Sequence, residues 1–298
     1  MTWYKGNLHT HTFMSDGDAM PGRVVKWYQR HGYDFLVLTD HNKSSWPIMY
    51  RNKDDFLLIH GNEFSVESCG KPVHVCALGY EKKGHPKASD TISDTLQGLV
   101  DEARSDLSVP VICHPNWCWA FTHREMMGLF DANLFEIYNP SHDCNNIGGG
   151  TSFSTEEMWD LMLSEGKRIF GVASDDAHHY RKRFDKGTDF PGRAWVMVHA
   201  DKLEKDSILI ALDRGDFYSS TGVSLEDLII NNEGMMIKIK RHRDCKYLVE
   251  YIGDGGRVLE TQYSELSEHY FMAGQKYTRA NITASDGTKA WVQPVFLR

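Results

Sequence analysis

The stretch YDFLVLTDHN, residues 33–42, decides the fold. Phe35 to Leu38 make a short apolar run, and Thr39, Asp40, His41 and Asn42 follow it directly. A run that short and that apolar reads as a strand buried on both faces and ending in polar groups. The pattern returns along the chain. FLLIHGNEF (56–64) runs into Glu63, VPVICHPNW (109–117) into His114, and NLFEIYN (133–139) into Asn139. RIFGVASDDAHH (168–179) runs into Asp175, Asp176, His178 and His179. KPVHVCALGY (71–80) differs, because His74 lies inside the apolar run.

Helical patterns fall between these strands. PGRVVKWYQRHG (21–32) carries Val24, Val25 and Tyr28 and stops near Gly32. TISDTLQGLVDEARSD (91–106) places Ile92, Leu96, Leu99 and Val100 at helical spacing. STEEMWDLMLSEGK (154–167) opens with a capping-box pattern, Ser154 to Glu157, and closes at Gly166. KDSILIALDRGD (205–216) is a fourth. The segment EKKGHPKASD (81–90) reads as a surface loop. Strands alternating with helices predict a largely parallel α/β arrangement, with about seven strands up to GRAWVMVHA (192–200). The polar residues gather at the C-terminal ends of strands, where such folds place their sites.

The pattern changes after about residue 225. LIINNEGMMIKIKRHRDCKYLVEYIGDGGRVLE (228–260) and YTRANITASDGTKAWVQPVF (277–296) read as short strands joined by turns, with no helix of any length. This divides the chain into residues 1–225 and a small β-rich C-terminal subdomain, 226–298.

Composition narrows the function. The net charge is −8, and the densest basic cluster is the short RHRD at 241–244, so no nucleic-acid groove is expected. No apolar run is long enough to span a bilayer. MTWYKGNLHT has no basic stretch followed by an apolar one, which predicts a cytoplasmic protein. The six cysteines form no C-x-x-C pair and are expected as reduced thiols, with Cys76 and Cys113 in the core. There is no G-x-S-x-G elbow and no P-loop, and GDGG (253–256) reads as a turn.

In GNLHTHTFMSDGD (6–18), His9 and His11 stand two residues apart, so on a strand both imidazoles share one face. Asp176 and His178 have the same spacing. With Asp16, His41, Glu63, His74 and His114 they make nine ligand-type side chains at predicted strands or strand ends. Imidazole with carboxylate suits Zn, Mn or Fe, and Glu63 has two oxygens with which to bridge ions. Singly, each has a plainer reading. His74 fits a hydrogen-bonded core histidine, Asp40 a cap on backbone amides, and Asp16-Gly17 a turn. Together they do not, because gathering buried carboxylates and imidazoles without a cation is costly. His123, His142, His199, His242 and His269 lack the strand-end setting and read as surface or supporting residues.

HTHT with SDGD, then LTDHN, GNE, CHPN and SDDAH, resemble in order the motifs of the PHP (polymerase and histidinol phosphatase) family, over roughly residues 5–200. RGDFYSSTG (214–222) and the closing DGTKAWVQPVF (286–296) resemble its carbaryl-hydrolase-like branch. The resemblance implies a distorted seven-stranded (β/α) barrel with a small β-rich appendage, holding two or three divalent ions. One ion would take His9, His11, Glu63 and Asp176. A second would share Glu63 and add His74 and His114, and a third would take Asp16, His41 and His178. Some members carry His at the position of Asp16. Asp175 competes with Asp176, and the Asp-x-His spacing favours Asp176.

The implied chemistry is hydrolysis by a metal-activated hydroxide. The substrate expected is a small phosphate ester, with a nucleotide and inorganic phosphate as further occupants. Asn116, Arg124 and Arg193 are candidate phosphate contacts. Asp40 and His179 are candidates to move protons or orient ligands. The alternatives are a metal-dependent hydrolase of carbamate, ester or amide bonds, and a non-catalytic metal-binding module.

Overall fold

The computed structural model describes residues 1–43, 55–82, 84, 86–181 and 187–297. Of the loop read at 81–90, Lys83 and His85 lie outside the described residues. The chain begins with β1 (Thr2–Asn7), α1 (Pro21–Arg30), β2 (Phe35–Val37), β3 (Leu57–Ile59), β4 (Gly61–Ser68) and β5 (Lys71–Leu78). There follow α2 (Ile92–Arg104), β6 (Val109–Ile112), α3 (His123–Met127), β7 (Leu134–Tyr138), α4 (Thr155–Ser164) and β8 (Phe170–Ala173). Then come β9 (Trp195–Ala200), α5 (Lys205–Arg214) and β10 (Phe217–Ser220). The tail holds β11 (Leu225–Ile230), β12 (Gly234–Ile239), β13 (Tyr247–Gly253), β14 (Arg257–Gln262), β15 (Leu266–Tyr270), β16 (Tyr277–Ala284) and β17 (Lys289–Phe296).

The helices form for local reasons visible in the chain. At α4 the Ser154 hydroxyl accepts from the Glu157 amide, and the Glu157 carboxylate accepts from the Ser154 amide. Thr91 caps α2 by a single bond, its hydroxyl accepting from the Asp94 amide. Gly215 ends α5 at φ +86°, where an added Cβ would also strike the Phe170 ring. GDGG forms a 3₁₀ turn with Gly255 and Gly256 at positive φ.

The strands lie in three sheets: β14-β13-β16-β17-β10-β9-β1-β2-β3, β4-β5-β6-β7-β8, and β11-β12-β15. The expected largely parallel arrangement holds only in part. β1-β2-β3 and β6-β7-β8 pair in parallel. β9 runs antiparallel to β1, and β4-β5-β6 pair antiparallel. The cause of the second departure is a two-residue turn, Cys69-Gly70, with both residues at positive φ. That turn sends the chain straight back as a hairpin with no crossover helix.

No closed seven-stranded barrel is found among the described residues. The two larger sheets meet instead at single parallel bridges, Thr10 to Ala177 and His41 to Glu63. Below these bridges lies a core that includes Leu8, Phe35, Val37, Leu78, Val172 and Val198, all 2% exposed or less. Burying each such side chain is worth about 1.5–3 kcal/mol.

Four of the tail strands extend the nine-stranded sheet, because β17 pairs with β10 and carries β16, β13 and β14 beyond it, while β11, β12 and β15 form a sheet of their own. Arg279 of β16, 1% exposed, places two 2.7 Å bonds on Asp160 of α4 and fixes the tail against the helix layer. No described helix is long and apolar enough to cross a membrane.

Candidate metal centre

Backbone hydrogen bonds between strand ends assemble the site. The Asp176 amide donates to the His9 carbonyl and the His11 amide to the Ala177 carbonyl. The Glu63 amide donates to the Asp40 carbonyl, and the Asn42 amide to the Glu63 carbonyl. Residues distant in sequence thereby bring all nine candidate ligands together, and all nine lie within residues 1–225.

Two of them are not at a strand end. Glu63 sits early in β4 and His74 in mid β5, opposite Ser65, so both enter from the hairpin. His114 and Asp176 adopt positive φ, +23° and +47°. Such backbone strain persists only where the surroundings hold it.

Glu63 is the hub. Its carboxylate is fully buried. Oε1 lies 2.8 Å from His74 Nδ1 and 3.3 Å from His114 Nε2. Oε2 lies 3.2 Å from His9 Nε2, 3.3 Å from His11 Nε2 and 2.9 Å from His41 Nδ1. Asp176 Oδ1 stands 3.3 Å from His9 Nε2 and 3.1 Å from His11 Nε2. Asp16 lies 3.4 Å from His11 Nδ1 and His41 Nε2, and 3.5 Å from His178 Nε2. These contacts do not divide cleanly into three sets: His11 stands between Asp176 and Asp16, and His41 between Glu63 and Asp16. One neutral imidazole offers a single lone pair, so His11 would serve a single ion.

The spacing fits divalent cations. Donors bound at about 2.0–2.2 Å to one ion lie roughly 3.0–3.5 Å apart, the edge of an octahedron or a tetrahedron. Glu63 Oε2, buried and faced by three imidazole nitrogens, accepts no hydrogen bond of sound geometry. His9 Nε2 and His11 Nε2 point at each other 3.1 Å apart. His178 Nδ1 lies 2.8 Å from the Asp176 carbonyl and donates to it, which leaves Nε2 bare toward Asp16.

The titration of the metal-free cluster reflects its crowding. Burial disfavours charge throughout, yet Glu63 and Asp16 outweigh it at His41 and hold that imidazole up to about 10. Burial opposes charge at His178 too, but Asp16 and Asp176 raise it to about 9. At His11 burial and the neighbouring His178 prevail, and its pKa falls to about 4. Glu63 is held well below the carboxylate range, the imidazoles of His9, His41 and His74 overcoming its burial.

The remaining expected residues have other settings. Asp40 is fully buried, and its carboxylate accepts from the Thr12 amide and hydroxyl and from the Ser15 amide and hydroxyl. It ties down the loop between His11 and Asp16. Asp175 accepts from the amides of Gly192, Arg193 and Ala194 and from the Tyr28 hydroxyl, away from the donor cluster. His179 Nδ1 accepts from the Asp189 amide.

Asn116 spends Nδ2 on the carbonyls of Asn145 and Phe153. The Arg193 guanidinium donates to the Phe190 carbonyl, 3.7 Å from Asp189. Arg124 is exposed on α3, outside the lining of the site. Of the histidines set aside, His199 stacks on Trp3, while His269 is buried in β15 against Tyr251 with a 2.7 Å bond to Glu260.

Sequence reasoning missed Glu136, Asn139 as a contact of Asp176, Ser65 and Trp117. Ser65 Oγ lies 2.6 Å from His41 Nδ1, and the Trp117 ring stands 5.3 Å from that of His74 and 5.2 Å from that of His114. A cavity of about 200 Å³ opens over the donors, its far wall formed by Trp117, Ser141, Asp143, Cys144 and Asp189.

The chain shares its mixed α/β fold with a two-domain protein from Bacteroides vulgatus containing a predicted PHP-like metal-dependent phosphoesterase. That likeness covers 98% of this chain and 95% of the other, with a TM-score of 0.54 at 17% identity. A weaker one, TM-score 0.42 at 14% identity, covers 62% of this chain and 92% of an amidohydrolase from Chromobacterium violaceum with bound sulfate and no metal. No protein-family model and no curated protein matches the chain.

Proposed function

We propose that the protein is a metal-dependent hydrolase of the PHP type that cleaves small phosphate esters. The observation that carries this is the convergence of nine donors around Glu63, with nitrogen-to-oxygen distances of 2.8–3.5 Å and one carboxylate oxygen left without a hydrogen bond. The fold shared with a chain containing a predicted PHP-like phosphoesterase supports the choice of bond. His9, His11, Glu63 and Asp176 would hold one divalent ion, Glu63, His74 and His114 a second, and Asp16, His41 and His178 a third. Zn, Mn and Fe suit this donor set. Ions held there would supply Lewis acidity at phosphate oxygens and lower the pKa of water.

The protein's own residues do the rest. Asp40 keeps the His11–Asp16 loop in place through Thr12 and Ser15. His179, outside the lining of the cavity, accepts at Nδ1 from the amide of Asp189, which does line it, so the role we assign it is to hold that wall in place. The cavity, about 200 Å³ among the described residues, suits a small ester better than a whole nucleotide.

Trp117 offers a flat apolar face beside His74 and His114, which suits an aryl leaving group and keeps carbamates and aryl esters in view as the second reading. The test is a panel of phosphate esters beside carbamates and aryl esters, with Mn or Zn supplied. Phosphoester turnover supports the proposal, and turnover confined to carbonyl substrates moves it to the second reading. Full metal loading with no turnover of either class points to a non-catalytic metal-binding module.

A further inference from the structure

Glu136 lies in the middle of β7 and is 1% exposed, yet it belongs to none of the three ligand sets. Four donors surround its carboxylate. Oε1 takes His9 Nδ1 at 2.8 Å and the Ser174 hydroxyl. Oε2 takes the His114 amide at 2.8 Å and Asn139 Nδ2 at 3.0 Å. Asn139 Nδ2 also reaches Asp176 Oδ2 at 3.0 Å. We infer that Glu136 is a positioning residue of the metal centre, whose carboxylate sets the tautomer of His9 and, with Asn139, the placement of His114 and Asp176. The inference rests on the reading of the cluster as a metal centre.

An ionised carboxylate accepts only, so His9 carries its proton on Nδ1. That leaves the lone pair on Nε2, the atom 3.1–3.3 Å from His11 Nε2, Glu63 Oε2 and Asp176 Oδ1. His114 and Asp176 hold positive-φ backbones, which are uncommon for residues other than glycine. The Glu136 bond to the His114 amide and the Asn139 bond to Asp176 are contacts that hold these residues in place. Glu136 also comes within ligand distance of His9, Cys113 and His114. Two donors on each oxygen leave it no free lone pair for an ion of its own.

Glu136→Gln keeps the size and turns an amide group toward the His114 and Asn139 donors. The assay is titration of chelator-stripped protein with Zn²⁺ against a chromophoric chelator, with a thermal melt and NMR of ¹⁵N-labelled histidine. The expected result is Zn²⁺ affinity weakened about 10–100-fold at one site, the loss typical when a histidine ligand's outer partner is removed. Stoichiometry at saturation stays at the wild-type value, and the hydrogen-bonded Nδ1 proton signal shifts upfield, because its acceptor is now a neutral carbonyl instead of a carboxylate. Glu260→Gln, which alters the partner of His269, leaves Zn²⁺ binding unchanged.

Wild-type affinity in a folded Glu136→Gln protein overturns the inference. So does the loss of one whole ion at saturating Zn²⁺, which makes Glu136 a ligand. If that variant does not fold, Ser174→Ala removes one donor from Oε1, and a several-fold weaker Zn²⁺ affinity is expected; no change refutes the role. Wild-type protein that retains no Zn²⁺ overturns the metal-centre reading itself, and this role with it.

Discussion

Asp40→Asn separates two roles for a buried carboxylate, holding a loop or moving a proton. Asp40 Oδ1 accepts from the Thr12 amide at 2.7 Å, the Ser15 amide at 3.1 Å and the Ser15 hydroxyl at 2.7 Å. Oδ2 accepts from the Thr12 hydroxyl at 2.7 Å. Asparagine keeps the carbonyl in the first position and puts an amide group in the second, where the Thr12 hydroxyl turns to accept. Three bonds therefore survive but lose their charge. A bond to a charged group contributes about 1.5–3 kcal/mol and a neutral one about 0.5–1.5, so the loss is about 1 kcal/mol for each bond and about 3 kcal/mol in all. With a urea slope near 3 kcal/mol/M, the midpoint of the metal-free protein falls by about 1 M. The same free energy bounds the loss of Zn²⁺ affinity at Asp16, His41 and His178 to roughly 100-fold. Urea unfolding and Zn²⁺ titration of the variant measure both. A variant with unchanged midpoint and Zn²⁺ affinity but a collapsed kcat refutes the argument and makes Asp40 a proton carrier.

Glu63→Ala or His9→Ala is expected to lose metal and activity together, which elemental analysis beside turnover checks; full metal content in either variant contradicts the site. His269→Ala is expected to keep both, at a stability cost of about 1–3 kcal/mol from the emptied space against Tyr251 and the unpaired Glu260, read by urea unfolding. The metal-free protein is expected to lose stability from about pH 6.5 upward. His41 and His178 have folded pKa values raised to about 10 and about 9, so their contribution is complete below the unfolded value near 6.5 and vanishes as pH rises through the folded ones. The depressed His11 acts with the opposite sign, but only below pH 6.5, outside that window. Thermal melts in chelator from pH 7 to 10.5 test this, and a flat profile contradicts it.

The strands and the clustering of the candidate ligands were legible where local chemistry is unambiguous. Phe35 to Leu38 followed by Thr-Asp-His-Asn reads as a buried strand and its polar end because nothing else buries so short a run. His9 and His11 declare a shared face by spacing alone. Closure was not legible. The Cys69-Gly70 turn makes β4 and β5 a hairpin without the Asn-Gly signature that announces one, and nothing local marks β9 as antiparallel. Glu136 was hidden for a related reason. β7 is buried on both faces, so alternation carries no signal, and the one clue was a carboxylate standing between Phe135 and Ile137. Asp40 shows the reverse case, a strand-end acid beside a ligand whose oxygens are all occupied by Thr12 and Ser15.

Five imidazoles converge on one carboxylate, which protons satisfy less well than cations would. His9, His11, His41, His74 and His114 each bring a ring nitrogen within 3.3 Å of Glu63. As neutral rings, those that present bare nitrogens meet the carboxylate lone pair to lone pair. As imidazolium ions they would satisfy it, but the rings crowd one another, with His11 centred 4.5 Å from His41 and 4.1 Å from His178. Charges packed that closely in a buried site repel strongly. Protonation therefore settles some of the contacts and worsens others, which is the split seen between His41 held at about 10 and His11 driven to about 4. Divalent cations held among these residues would take up bare lone pairs of ring and carboxylate without putting a charge on neighbouring rings. Glu63 Oε2, left without a hydrogen bond, is where that difference is greatest.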